Sequence, residues 1–222
     1  MKKQGLDFNI RKLMGLRYKS HPWHGIDPGE NAPYSLTCFI EMVDSDTVKY
    51  EVDKESGFLR IDRPQKYSSI LPAIYGFIPQ TLCGELLAQR CMESTGLTGI
   101  IGDGDPLDIC VLTEKRITHG DVLARVKPIG GFRMLDNGEA DDKIIAVLIH
   151  DAVYGQINDI SELPHTVLDR LRHYFLTYKD LPCNDSGCEI PEIYDAQEAH
   201  RVITATMEDY DNKFNTFSGI LE

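Results

Sequence analysis

A chain of 222 residues with 42% hydrophobic and 26% charged side chains can bury a full core, which excludes a largely disordered polymer and points to one globular domain. Its 35 acidic against 23 basic residues leave a net charge of -12, which excludes the broad basic footprint of a nucleic-acid binder. A small partner is expected instead, and an anionic one would be met through bound cations and a few local Lys or Arg residues.

No apolar run approaches the ~20 residues of a membrane span, so no membrane partner is expected. The N-terminus starts basic, but Arg11, Lys12, Arg17 and Lys19 interrupt any apolar core, so no secretion signal is read and a cytoplasmic location follows. Cys38, Cys83, Cys91, Cys110, Cys183 and Cys188 follow no zinc spacing and read as free thiols, with Cys110 placed inside a strand.

Residues 1–37 read as an N-terminal extension. Leu6, Ile10, Leu13 and Met14 recur at helical spacing, and His21-Pro22-Trp23-His24-Gly25 breaks the pattern. Trp23 is read as an aromatic anchor for the extension, with a ligand site as the alternative. Strands are predicted over 39–43, 48–53 and 58–62, with a turn at Lys54-Glu55-Ser56-Gly57 between the last two. In the second strand the two-residue period puts Lys49 and Glu51 on one face, a solvated face on this strand's own showing.

Residues 80–102 interrupt the strand pattern, and 85–92 within them could form a short helix. Strands resume at 108–112, 122–129 and 143–149, with Pro128-Ile129-Gly130-Gly131 marking a bend or bulge. About six short strands predict a small barrel. After Pro164 the spacing of Val167, Leu171, Tyr174, Phe175 and Tyr178 predicts a helix, and Asp195 with Glu198 predicts a capping box for a second one. The whole chain, 1–222, is thus expected to be one domain: a barrel and helix over 38–180 and a helical region over 181–222.

The segment Gly102-Asp103-Gly104-Asp105-Pro106-Leu107-Asp108 places three carboxylates within six residues at the start of an apolar strand. Like charges that close repel in a partly dry site, so the cluster calls for a cation or a proton. Oxygen donors without histidine or thiolate suit Mg²⁺, Mn²⁺ or Ca²⁺. A helix-loop-helix calcium loop starting at Asp103 fails, because Leu107 falls on a ligand position and Asp108 where the turning glycine belongs. A second acidic run, from Asp136 to Lys143, either converges with the first at one end of the barrel or forms a solvated hairpin tip.

Asp103-Gly104-Asp105-Pro106-Leu107-Asp108 resembles the signature of the first family of soluble inorganic pyrophosphatases. In that family's order come Glu41, Lys49-Tyr50-Glu51, Asp53-Lys54-Glu55-Ser56-Gly57, Asp62-Arg63 and Tyr75-Gly76, then Asp136, Asp141, Lys143 and Tyr178-Lys179. The likeness spans roughly 38–180. It implies a mainly β, α+β fold, a small closed oligonucleotide-binding-like β-barrel with two C-terminal helices packed outside.

The resemblance also implies Mg²⁺-dependent hydrolysis of pyrophosphate to two phosphates, with Mn²⁺ or another divalent cation possible, by a homo-oligomer. Asp103, Asp108 and Asp141 would hold the two activating ions, and Asp136 and Glu41 would serve ions arriving with substrate. Asp105 would take the proton from the bridging water, and Lys49, Arg63, Tyr75, Lys143, Tyr178 and Lys179 would contact the phosphates. By this resemblance the Lys49 and Glu51 face becomes functional.

Several positions depart from the pattern. Leu71 stands where many bacterial members have tyrosine, Ile74 replaces the usual asparagine, and Met42-Val43 follows Glu41 in place of Ile-Pro. The 27 residues between Tyr75 and Asp103 also exceed the compact bacterial form. Two rival readings remain: another Mg²⁺-dependent enzyme acting on polyphosphate or a nucleotide, and a non-enzymatic barrel of the oligonucleotide-binding type. The lack of a glycine-rich phosphate loop weighs against the first, and the acidic charge against the second.

Overall fold

The computed structural model describes residues 20–66, 69–179 and 187–214. In chain order the elements are β1 (Leu36–Met42), β2 (Val48–Val52), β3 (Leu59–Pro64), β4 (Ile74–Phe77), α1 (Glu85–Thr95), β5 (Ile101–Gly102) and β6 (Asp108–Leu112). There follow β7 (Val122–Asp136), β8 (Glu139–Ala140), β9 (Lys143–Leu148), a 3-10 turn (Ile160–Glu162), α2 (His165–Thr177), β10 (Cys188–Asp195) and α3 (Ala196–Phe214).

The sheet closes on itself. β1 pairs β4, β4 pairs β6, β6 pairs β9, β9 pairs β7, and β7 returns to β1, which makes the expected barrel. Closure removes the free edges that an open sheet would expose. The ring is held by the length of β7, whose 15 residues pair at different points with β1, β9, β8 and β10. β7 bends at a bulge between Pro128 and Gly130, where the turn residues had predicted one. Gly76 lets β4 approach β1: a Cβ there would lie 1.8 Å from the Phe39 carbonyl oxygen.

Alternate residues of the central strands enter two apolar clusters. Ile109, Val111, Ile144 and Ala146 pack with Leu87 of α1 and Val202 and Ile203 of α3. Cys110, Leu112, Ile145 and Val147 pack with Leu171, Tyr174 and Phe175 of α2. Both faces of these strands are covered, which is why their sequences read as unbroken apolar runs. The hairpin β2–β3 stands apart as its own two-stranded sheet.

Several expectations are corrected. β7 continues past the predicted end at 129 to Asp136, because the bulge redirects the strand without ending it. The apolar pattern of 74–77 is too short to register alone, yet it forms β4. The region 181–222 was expected to be helical, but it includes β10, whose pairing with β7 is a long-range choice. The short helix offered for 85–92 is present as α1 and runs on to Thr95.

The predicted cap of α3 is half present: Asp195 Oδ1 accepts from Glu198 N at 2.8 Å, while the Glu198 carboxylate binds Arg90 and Arg133. Trp23 is an anchor as expected, buried among Phe39, Phe77, Leu82 and Tyr210. The helical spacing read in residues 1–20 and the thiol of Cys183 lie outside the described residues. Cys38, Cys83, Cys91 and Cys110 are free and buried, and Cys188 is buried. Among the described residues no helix is long and apolar enough to cross a membrane.

Candidate active site

One cavity of about 290 Å³ opens between the barrel, the β2–β3 hairpin and the C-terminal end of α2. It gathers Glu41 from β1, Lys49 from β2, Arg63 from β3, Tyr75 from β4, and Asp103 and Asp105 from the acidic loop. Asp108 enters from the start of β6, Asp136 from the end of β7, Asp141 and Lys143 from the start of β9, and Tyr178 and Lys179 from beyond α2. Every candidate residue named from the sequence therefore faces the same space, and the run from Asp136 to Lys143 converges with the first acidic cluster rather than forming a free hairpin tip.

Local structure explains how each group is aimed. In the acidic loop Gly104 takes a left-handed conformation (φ 77), and Asp103 Oδ1 accepts the Asp105 amide at 2.8 Å. The loop is also tied to the neighbouring chain: Cys83 N donates to the Asp105 carbonyl at 2.7 Å, and Gly104 N to the Cys83 carbonyl at 3.0 Å. Gly102 permits this contact, since a Cβ there would stand 2.1 Å from the Cys83 carbonyl oxygen. On the barrel, Asp108 pairs with Lys143 across the parallel β6–β9 ladder, which brings that ammonium onto that carboxylate.

Acids and bases alternate around the wall. Lys143 contacts Asp108 and lies 2.5 Å from Asp141; Lys179 contacts Asp136; Tyr75 donates its hydroxyl to Asp108. Lys49 lies 3.2 Å from both Glu51 and Asp62, and Arg63 contacts Asp62. The Tyr178 ring stacks on Tyr174 at 5.1 Å, with the Arg63 guanidinium 6.0 Å from it. Tyr178 thus packs against the apolar cluster, as its helical spacing suggested, and also borders the cavity.

Burial and charge shift these groups in a consistent pattern. Burial, reinforced by Asp141, raises the Asp103 carboxyl, and burial also raises Asp141, partly offset by Lys143. Burial pushes Glu41 up to about 8 against the pull of the Val52 amide, which Glu41 Oε1 accepts at 2.6 Å. For Lys143 burial opposes the charge, but Asp108 and Asp141 outweigh it and hold the ammonium protonated.

The donor set is carboxylate oxygen throughout, which fits a hard divalent cation. Among the described residues, however, no three His, Cys, Asp or Glu side chains are drawn together closely enough to hold an ion as they stand. Lysines separate them.

Four features were not read from the sequence. Lys54 was quoted within a motif without a role, yet its ammonium contacts Asp105. Phe175 and Tyr174 line the cavity from α2, although their spacing spoke only for core. Asp142, adjacent to Asp141, points away from the cavity into a buried pair with Arg133 at 2.7 Å. The strand's two-residue alternation was the available signal for that last one. Of the departing positions, Leu71 lines the cavity with an apolar side chain that is 2% exposed, and Ile74 is core opposite Val111.

A family model described as inorganic pyrophosphatase matches residues 38–211. The chain belongs to the inorganic pyrophosphatase family. An inorganic pyrophosphatase of Chlamydia trachomatis is 52% identical over 200 residues, covering 88% of this chain and 96% of that protein. A soluble inorganic pyrophosphatase of Chlamydomonas reinhardtii is 36% identical over 88% of this chain and 91% of its own length. The crystal structure of the inorganic pyrophosphatase from Thermus thermophilus superposes with a TM-score of 0.72 at 29% identity, covering 86% of this chain and 99% of that one. Family membership and the barrel agree with the resemblance carried by the acidic signature.

Proposed function

We propose that the chain hydrolyses inorganic pyrophosphate to two phosphates in this cavity, with divalent cations as cofactors, Mg²⁺ foremost and Mn²⁺ an alternative. The observation that carries this reading is the alternation of carboxylates with lysine, arginine and tyrosine donors around one cavity in a member of this family. A polyanion with up to four charges needs both halves of that lining.

Asp103, Asp108 and Asp141 would hold the activating cations, with Asp136 and Glu41 available to further ones. When bound, such cations neutralise the substrate and lower the pKa of the attacking water. Lys49, Arg63, Lys143 and Lys179 neutralise and orient the phosphoryl oxygens, and Tyr75 and Tyr178 donate their hydroxyls to them. Asp105 accepts the water's proton at its carboxylate. Its position supports this role: the Asp103 carboxylate caps its amide, and the backbone bond to Cys83 fixes its loop. Leu71 and the aromatic edges of Tyr174 and Phe175 limit water on one wall.

Homo-oligomeric assembly in the cytoplasm belongs to the same reading. Sedimentation checks the assembly. The deciding assay for activity is phosphate release from pyrophosphate, ATP and polyphosphate, with Mg²⁺ and with chelator. Mg²⁺-dependent release from pyrophosphate is expected; release from ATP or polyphosphate alone would transfer the site to a different phosphoanhydride.

A further inference from the structure

The segment from His21 to Gly25 carries polar groups that the site chemistry leaves unused. His21 Nδ1 accepts the backbone N–H groups of Trp23 at 3.2 Å and His24 at 3.4 Å. An accepting ring nitrogen carries no proton, so the proton resides on Nε2, which donates to the Lys54 carbonyl at 3.1 Å. Under the ring lies Gly57, in the left-handed region at φ 73. A Cβ there would stand 2.9 Å from both His21 Cδ2 and Pro22 Cδ, so the turn's glycine serves its own bend and seats the histidine.

The segment is itself fixed to the body. Trp23 Nε1 donates to the Thr81 carbonyl at 2.7 Å, and Gln80 N donates to the Trp23 carbonyl at 2.9 Å. His24 Nδ1 lies 2.7 Å from the Tyr210 hydroxyl of α3. The turn that His21 grips belongs to the β2–β3 hairpin, which shares no ladder with the barrel. That turn carries Lys54, whose ammonium contacts Asp105 at the mouth of the cavity.

We propose that His21 is a positioning residue for the active cavity. It rivets the 53–57 turn to the barrel, and thereby delivers Lys54 over Asp105 as a further cationic contact for the anionic substrate. This rests on the reading of the cavity as the pyrophosphate site. A lysine on an untethered hairpin tip would be paid for in lost ordering entropy at each binding event, so the rivet lowers KM rather than raising kcat.

The test uses the full chain with His21→Asn, Lys54→Met and the double variant. Asparagine keeps an acceptor for the local 21–24 turn but is too short to reach the Lys54 carbonyl. His21→Asn is expected to raise KM for pyrophosphate roughly tenfold with kcat within about twofold, Lys54→Met to raise KM at least as much, and the double variant to be no worse than Lys54→Met alone. Amide hydrogen exchange at 53–57 is expected to quicken in His21→Asn.

Additive losses in the double variant, or unchanged KM in either single variant, would overturn the proposal. Unchanged exchange at the turn would overturn it as well, and this readout does not depend on activity. If the wild type itself releases no phosphate from pyrophosphate, it is the reading of the cavity that fails, and the exchange measurement still decides whether His21 holds the turn.

Discussion

Lys143 places its ammonium nitrogen 2.5 Å from Asp141 Oδ1 and in contact with Asp108 Oδ2, on a side chain that is 3% exposed. One lysine thus neutralises two of the three carboxylates assigned to the activating cations. Replacing it with methionine leaves those carboxylates facing one another without compensation. Lys143→Met is expected to cost about 3–5 kcal/mol in chelator, the usual penalty for breaking a buried pair. Millimolar Mg²⁺ should recover more stability in the variant than in the wild type, because a ligand of the native state shifts the unfolding equilibrium. Urea midpoints with and without Mg²⁺ measure both effects, and equal Mg²⁺ shifts would argue against cation binding by these acids.

Asp105 and Asp103 sit two residues apart, and the proposed mechanism gives them different tasks, proton acceptor and cation ligand. Asp105→Asn keeps the loop's shape, since the Asp103 carboxylate caps its amide and not its side chain. Turnover should fall roughly 10²-fold or more while Mg²⁺ binding by calorimetry is retained. Asp103→Asn should weaken Mg²⁺ binding first. Wild-type turnover in Asp105→Asn would remove its assignment as the base.

Glu41 sets a pH dependence. Burial holds its carboxyl at about 8 in the folded chain, against an ordinary value of about 4.3 when unfolded. Between those values the native state keeps a proton that the unfolded state has lost, so the stability contributed by this group declines as pH rises and levels off above the folded pKa. Glu41→Gln fixes the neutral form and keeps an acceptor for Val52 N. In chelator, its urea midpoint should exceed that of the wild type at pH 8 by a margin that shrinks towards pH 5. A margin that does not change with pH would contradict the assignment.

Arg133 and Asp142 form an ion pair with both side chains at 0% exposure. Arg133 also binds Glu198 of α3 at 2.9 Å, and Tyr194 of β10 donates to Asp142 at 3.0 Å. Arg133→Met or Asp142→Leu alone should each destabilise by about 3–5 kcal/mol, since each strands a buried charge. The double replacement should recover most of that loss. Chemical denaturation of the three variants gives the coupling directly, and additive losses would show that the pair is not a unit.

The site was legible where its chemistry is written in adjacent residues. The carboxylates of 103–108 announce their need for positive charge because three like charges in so short a span have no other stable arrangement in a fold. The strands β2, β6 and β9 were legible for a similar reason: each is a run whose local pattern and turn residues agree with its final pairing. β4 and β10 were not, because a four-residue strand and a strand following residues 181–186 are selected by the edges they find on other strands.

By itself, then, the sequence determined a mainly β core and an acidic loop that calls for a cation or a proton. These follow from local charge density and from the period of apolar residues, which the chain carries wherever it goes. Only the tertiary structure decided that Asp141 faces the cavity while Asp142 turns to Arg133, that Lys54 reaches Asp105, and that His21 grips the turn carrying it. Those relations join residues 9, 51 and 33 positions apart through barrel closure and hairpin docking, and no local pattern encodes a contact made by folding.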